Sequence, residues 1–175
     1  MFFERPFFPT DETDPNFKRK LEEAWYLQGV LLSDEAYRLD KDFNPKLIDP
    51  YGTGTKAFWR GVLESAGAIR MDTAGGGGRI YPFVGLKASH AFLTVFLAFL
   101  EEELGTRFPL VQGEVQSAFD ADGKLAWQAM GDFVKMKSTQ ARDVVRLLYL
   151  GDTVGRDKPR RLADGIVTWE PAQRW

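Results

Sequence analysis

Residues 53–86 read TGTKAFWRGVLESAGAIRMDTAGGGGRIYPFVGL, and the fold turns on this stretch. Thr53 or Thr55 suits the cap of a helix, because a threonine hydroxyl accepts a hydrogen bond from a first-turn amide. Behind the cap Phe58, Trp59, Val62, Leu63 and Ala66 recur as an apolar stripe, which leaves Lys56, Arg60 and Glu64 on the exposed side. Gly67 stands where a helix ends in a left-handed residue. Ala68–Asp72 and Arg79–Val84 read as two strands joined by Gly75–Gly78, a glycine-tipped hairpin. Pro82 has no amide to donate, which places the second strand on a sheet edge.

Upstream, residues 1–14 carry Phe2, Phe3, Phe7 and Phe8 around Pro6 and Pro9, a composition for an extended arm and not a helix. Asp14-Pro15 opens the first helix, with Asp as cap and Pro in the first turn. Phe17, Leu21, Ala24, Trp25, Leu27 and Gln28 follow at helical spacing, and Gly29 reads as the end. Ser33-Asp34-Glu35 is a second cap signal, so Ala36, Tyr37 and Leu39 predict a short second helix. Asn44-Pro45, Asp49-Pro50 and Gly52 make residues 42–54 a loop, and the helix after Thr55 is the third.

Downstream, Ala91–Leu100 (AFLTVFLAFL) is an apolar run of ten residues bounded by Glu101, Glu102 and Glu103. A bilayer needs about 20, so the run predicts a buried helix from Lys87 or Ser89 to Leu104, closed by Gly105, in the core in preference to an oligomer interface. Residues 106–137 carry two periods. Val115-Ser117-Phe119 and Leu125-Trp127-Ala129 alternate like strands about an Asp120–Gly123 turn, whereas Ala126, Met130, Phe133, Val134 and Lys137 fit a helix face. Strand is expected for the first half and helix for the second. Ala141–Leu150 reads as a further helix, and residues 151–175 as a basic extension. The fold class is α+β and helix-rich, one compact domain in which a helix–hairpin unit at 15–86 is followed by a buried apolar helix and a smaller α/β part.

Composition limits the function. Lys and Arg number 23 against 25 Asp and Glu, a net charge of −2, so a nucleic-acid contact has to come from a local patch. The absence of cysteine excludes disulfides and thiolate zinc sites, and His90 is the only histidine. No metal and no cofactor is expected. The glycine run lacks the Lys-Ser/Thr of a phosphate-binding loop and the spaced glycines of a dinucleotide fingerprint. Asp120-Ala121-Asp122-Gly123 resembles part of a calcium loop, but Ala118 and Ala129 stand where two ligands belong, so a hairpin turn is expected. His90 reads as a helix-end residue, and Glu101–Glu103 as a solvated helix end. The first residues show neither a cationic start nor a long apolar core, which predicts an intracellular, cytoplasmic protein without a membrane span.

The order of helix, LESAGAIRMD, glycine turn and RIYPFVGL resembles winged-helix domains over about residues 15–86. The resemblance implies a helix-turn-helix core with a wing, a module that binds nucleic acid or docks proteins. A long loop at 42–54 and Pro82 in the wing strand depart from that pattern. Within residues 56–87 Lys56, Arg60, Arg70, Arg79 and Lys87 face only Glu64 and Asp72. The expected function is therefore non-enzymatic binding of duplex DNA. Lys56 and Arg60 would lie on the helix, Arg70 and Arg79 beside the wing, and Gly76 and Gly77 would let backbone amides approach phosphate. The alternative is a protein-interaction subunit of a nucleoprotein, phage or defence assembly, or a self-associating protein, with Phe7, Phe8, Trp169 and Trp175 as partner contacts. The tail cations Arg156, Lys158, Arg160 and Arg161 beside those tryptophans serve either reading.

Overall fold

The first helix outruns its predicted stop at Gly29 and takes in the cap predicted for the second. The structure, a computed structural model, describes residues 7–36, 54–73, 78–111, 115–119, 121–130, 132–151 and 157–171. In it α1 spans Phe17–Ala36 and passes through Gly29 and Ser33 without a break. The Asp14 carboxylate accepts the Asn16 amide at 2.8 Å and the Lys20 ammonium at 2.6 Å, in the turn before the helix, which starts at Phe17 and not at the expected Pro15. Gly29 is not a terminator because it is the crossing point with α2, Lys56–Ala66. A Cβ on Gly29 would stand 2.0 Å from the Phe58 carbonyl oxygen, and one on Gly61 would stand 2.1 Å from that of Tyr26. Ser33 is buried and donates to the Val30 carbonyl at 2.7 Å, so its hydroxyl serves its own helix and caps no second one. Tyr37, Leu39 and most of the predicted loop lie outside the described residues.

The Thr55 hydroxyl caps α2 by accepting the Phe58 amide at 3.3 Å. Gly67 follows with φ −94° and ψ −171°, extended and not left-handed. Its small size has another use: a Cβ there would lie 2.8 Å from the Gly85 carbonyl oxygen. β1, Ala68–Thr73, and β2, Ile80–Ala88, form the predicted antiparallel hairpin, from Ala68 opposite Gly85 to Thr73 opposite Ile80. Gly75, Gly76 and Gly77 lie outside the described residues, and Gly78 has φ +67°.

α3 spans His90–Leu104, capped by Ser89 and closed by Gly105 at φ +68°, as the sequence predicts. It buries Phe92, Leu93, Phe96, Phe99 and Leu100 and leaves His90, Thr94 and Ala98 exposed. β3, Val115–Phe119, and β4, Leu125–Met130, pair as a hairpin and, among the described residues, with no other strand; Asp120 of the predicted turn lies outside those residues. The expected helix in the second half of this region is instead β4 and then β5, Asp132–Lys137. Val134 and Met136 are buried while Lys135 and Lys137 are exposed, a period of two that only a strand satisfies.

β5 pairs antiparallel with β2, which gives a sheet of order β1-β2-β5 and makes β2 central. Pro82 is thus not on an edge strand. It is tolerated because β5 stops at Lys137, opposite Phe83, and the Pro82 carbonyl accepts the Ser138 amide at 2.9 Å. The proline nitrogen faces that same side, past the end of the ladder, so no strand bond is lost.

α4, Thr139–Tyr149, packs on β2 and β5, and α5, Asp157–Val167, covers β1. The tail is therefore more than an extension, since Ala163 and Ile166 are fully buried. One apolar cluster runs from α1 to α5 around Trp59, whose ring lies 4.7 Å from Phe96 and 5.4 Å from Phe92. Among the described residues no helix is long and apolar enough to cross a membrane.

The glycine crossing makes a contrast in stability. Gly29→Ala should lower unfolding free energy by about 3 kcal/mol, because backbone and not a movable side chain opposes the new methyl. At Gly165, on an open face of α5 with nothing within 4 Å of an added Cβ, the same change should raise it by roughly 0.5–1 kcal/mol. Urea midpoints at constant slope measure both.

Candidate nucleic-acid interface

Residues opposite one another in a sheet share a face, and the register therefore sorts every side chain of β1, β2 and β5. Ile69, Val84, Leu86, Val134 and Met136 point inward, where Val84 and Val134 have no exposed surface. The outer face carries four rows: Asp72 and Tyr81; Arg70, Phe83 and Lys137; Ala68, Gly85 and Lys135; Lys87 and Phe133. Among the described residues these rows gather four cations and three aromatic rings with one carboxylate. Between the larger rows, at Ala68 and Gly85, lies a depression of about 540 Å³ that Arg70, Phe83, Lys87, Phe133, Lys135 and Lys137 border.

The two phenylalanines are in different states. An added Cβ on Gly85 would meet the Phe83 ring at 2.9 Å, so this glycine lets the ring lie down across the sheet. The Arg70 guanidinium covers it 4.1 Å from the centroid, and two hydrogen bonds of 2.6 and 3.3 Å hold Arg70 to Asp72. Phe83 is left 6% exposed. Phe133 is half-buried, with the Lys135 ammonium 4.7 Å from its centroid, and Lys135 itself is exposed. The ion pair with Asp72 holds Arg70 over its ring, whereas an exposed lysine changes rotamer in nanoseconds or less.

The residues that the sequence grouped are not together. Arg70 is on the face, and Arg79 is exposed just before β2. Lys56 is exposed at the far end of α2, roughly 15 Å of helix away from the hairpin, beside Glu22 and Trp25. Arg60 is fully buried and not exposed. Gly76, Gly77 and Trp175 lie outside the described residues. Phe7 is 89% exposed, Phe8 is half-buried, and the Trp169 indole donates to the Ile80 carbonyl at 3.0 Å. Trp169 thus ties the segment after α5 to the tip end of the hairpin. Lys135, Lys137 and Phe133 were missed because a helix was expected there, although the alternation of Val134 and Met136 with the lysines was visible. Among the described residues no group of three or more His, Asp or Glu is placed to hold a metal ion. His90 pairs with Asp132 at 2.7 Å, and Glu101 with Arg107 at 3.2 Å. No protein-family model and no curated protein matches the chain.

Arg60 is buried because it belongs to the packing of the helices. Its Nη1 donates to the Leu148 carbonyl at 2.8 Å. One turn on, Glu64 accepts from the hydroxyls of Tyr26 and, at 3.0 Å, Tyr149. A charge taken out of water costs several kcal/mol unless such partners surround it, and here the partners join α1, α2 and α4. Burial, then the Glu64 charge, holds the Tyr149 hydroxyl protonated far above the usual tyrosine value of 10.0. Below pH 10 both folded and unfolded chains keep that proton; above it only the folded chain does. Stability should therefore fall as pH rises beyond about 10, by up to about 1.4 kcal/mol per unit from this group. Tyr149→Phe should cost about 2 kcal/mol at neutral pH and remove that part of the alkaline slope, as denaturation across pH would measure.

Proposed function

We propose that the protein is a non-enzymatic, cytoplasmic nucleic-acid-binding protein that lays the outer face of its sheet against a phosphate backbone. The observation that carries this reading is the register, which collects Arg70, Lys87, Lys135 and Lys137 with Phe83 and Phe133 on the one sheet face that the core does not use. In a chain of net charge −2, that concentration of cations is local. Cations hold phosphates and rings hold bases. The α2–β1–β2 order supports a winged-helix-like unit that meets its target with the wing and the sheet beside it, with Arg79 at the tip end of the wing. Groove insertion by the helix is less well supported, since Arg60 faces inward. A second reading, a subunit that docks on a larger assembly, is favoured by the 89% exposure of Phe7 in the N-terminal segment.

Fluorescence anisotropy with labelled oligonucleotides over a salt series separates the two. Binding should weaken steeply between about 50 mM and about 200 mM salt. Replacing Lys135 and Lys137 together by Glu should cut affinity at least about tenfold and flatten the log–log salt slope by about 1.5. Absence of binding at low salt, or indifference to the double reversal, would remove the nucleic-acid reading. Light scattering that shows a stable oligomer dependent on Phe7 would then favour the assembly.

A further inference from the structure

The proposed nucleic-acid reading leaves the form of the ligand open, and the face itself distinguishes the forms. We infer that the occupant is a single strand, with one base stacked on Phe133 in the depression beside the Phe83 ring and the neighbouring phosphates on Lys135 and Lys137; this rests on the reading above.

Three observations carry it. First, the face is recessed and not flat: beside the Phe83 ring, which fills the place over Gly85, a hollow of about 540 Å³ bordered by Phe133, Lys135 and Lys137 has room for a nucleotide. The bases of a duplex are stacked inside it and cannot enter such a hollow, so a duplex would touch the rim alone. Second, one of the two rings is free to serve. Phe83 lies 6% exposed under an arginine pinned by Asp72, whereas Phe133 is half-buried beneath a movable lysine. Displacing Lys135 from Phe133 loses a cation–π contact of about 0.5–1 kcal/mol at an exposed site. The stacked base returns about 1–3 kcal/mol, and the lysine regains a partner in phosphate. Third, Lys135 and Lys137 leave the same strand on the same face, roughly 7 Å apart, and both are exposed. They can meet successive backbone positions beside the ring.

A run of carboxylates would satisfy the cations but bring no ring to Phe133, whereas every nucleotide of a strand carries a phosphate and a ring together. That difference makes the single strand the better occupant, and polyglutamate the proper competitor.

The test is anisotropy titration of a mixed-sequence single strand and of its duplex with the full chain. The single strand should bind at least about tenfold more tightly, and Phe133→Leu, which keeps apolar bulk but no π face, should weaken it about 5- to 100-fold. Phe133→Leu should weaken duplex binding far less than single-strand binding and leave the salt slope unchanged, and Phe133→Tyr should restore the single-strand affinity. Should Phe133→Leu fail to fold, a strand carrying 2-aminopurine tests the wild-type protein directly, because stacking changes its fluorescence on binding. Salt-dependent binding that prefers duplex, or is indifferent to Phe133→Leu with no 2-aminopurine response, overturns this inference and leaves the cationic face standing. Equal competition by polyglutamate at matched charge also overturns it. If neither strand nor duplex binds at low salt, the wider reading falls with it.

Discussion

β2 has to satisfy the core and the solvent with alternate residues, and most of the molecule follows from that constraint. Val84, Leu86 and Ala88 enter the apolar cluster, while Tyr81, Phe83, Gly85 and Lys87 turn outward. A slip of one residue would bring Lys87 inward and turn Val84 out to water, exchanging favourable burial for an unpaired charge. Both neighbouring strands are read off this alternation, since β1 and β5 pair with β2 and not with each other. The proline in the strand survives because it sits one residue beyond the last β5 pair, and Gly85 lets the Phe83 ring lie flat where a side chain would lift it.

Behind the sheet the helices solve a separate problem, that of close approach. Gly29 and Gly61 each lie against a backbone carbonyl of the other helix, so α1 and α2 touch main chain to main chain. That contact sets Tyr26 of α1 beside Glu64 of α2, and Tyr149 of α4 reaches the same carboxylate. Arg60 anchors α2 to the end of α4 through the Leu148 carbonyl. A basic residue that a helical-wheel argument assigns to solvent is thus structural. Its long side chain reaches a carbonyl 88 positions away in sequence, a partner that no local pattern records.

What could be read from the sequence follows from how local each signal is. The caps at Thr55 and Ser89, the helical stripe of Phe58, Trp59, Val62 and Leu63, the hairpin at Ala68–Val84 and the stop at Gly105 depend on near neighbours, and the structure has them. Gly29 and Ser33 carried the same local signals and misled, because tertiary packing used the glycine for contact and the serine for a back-bond to Val30. β5 was lost to a helix reading since Ala126, Met130, Phe133, Val134 and Lys137 mimic a helical face. Only pairing with β2, some 50 positions earlier, decides between the periods. The candidate face was half legible for the same reason: Arg70 and Lys87 come from the hairpin, and Lys135, Lys137 and Phe133 from the distant strand.

Charge on this chain is arranged, not abundant. With a total of −2, the protein exerts little attraction beyond the screening length of about 8 Å at physiological salt, so the four cations of the face act only on a partner already in contact. Contact charges alone then give weak, salt-sensitive attachment. Under the proposed reading a second, short-range term that salt does not screen is needed, and stacking on Phe133 is of that kind. The two terms also divide the labour between the strands that build the face. β1 contributes Arg70, which Asp72 and the Phe83 ring hold as part of the floor, and β5 contributes the exposed lysines and the accessible ring. The side chains free to rearrange therefore lie on β5, whose backbone is itself fixed at Phe133 by two hydrogen bonds of 3.0 Å to Val111.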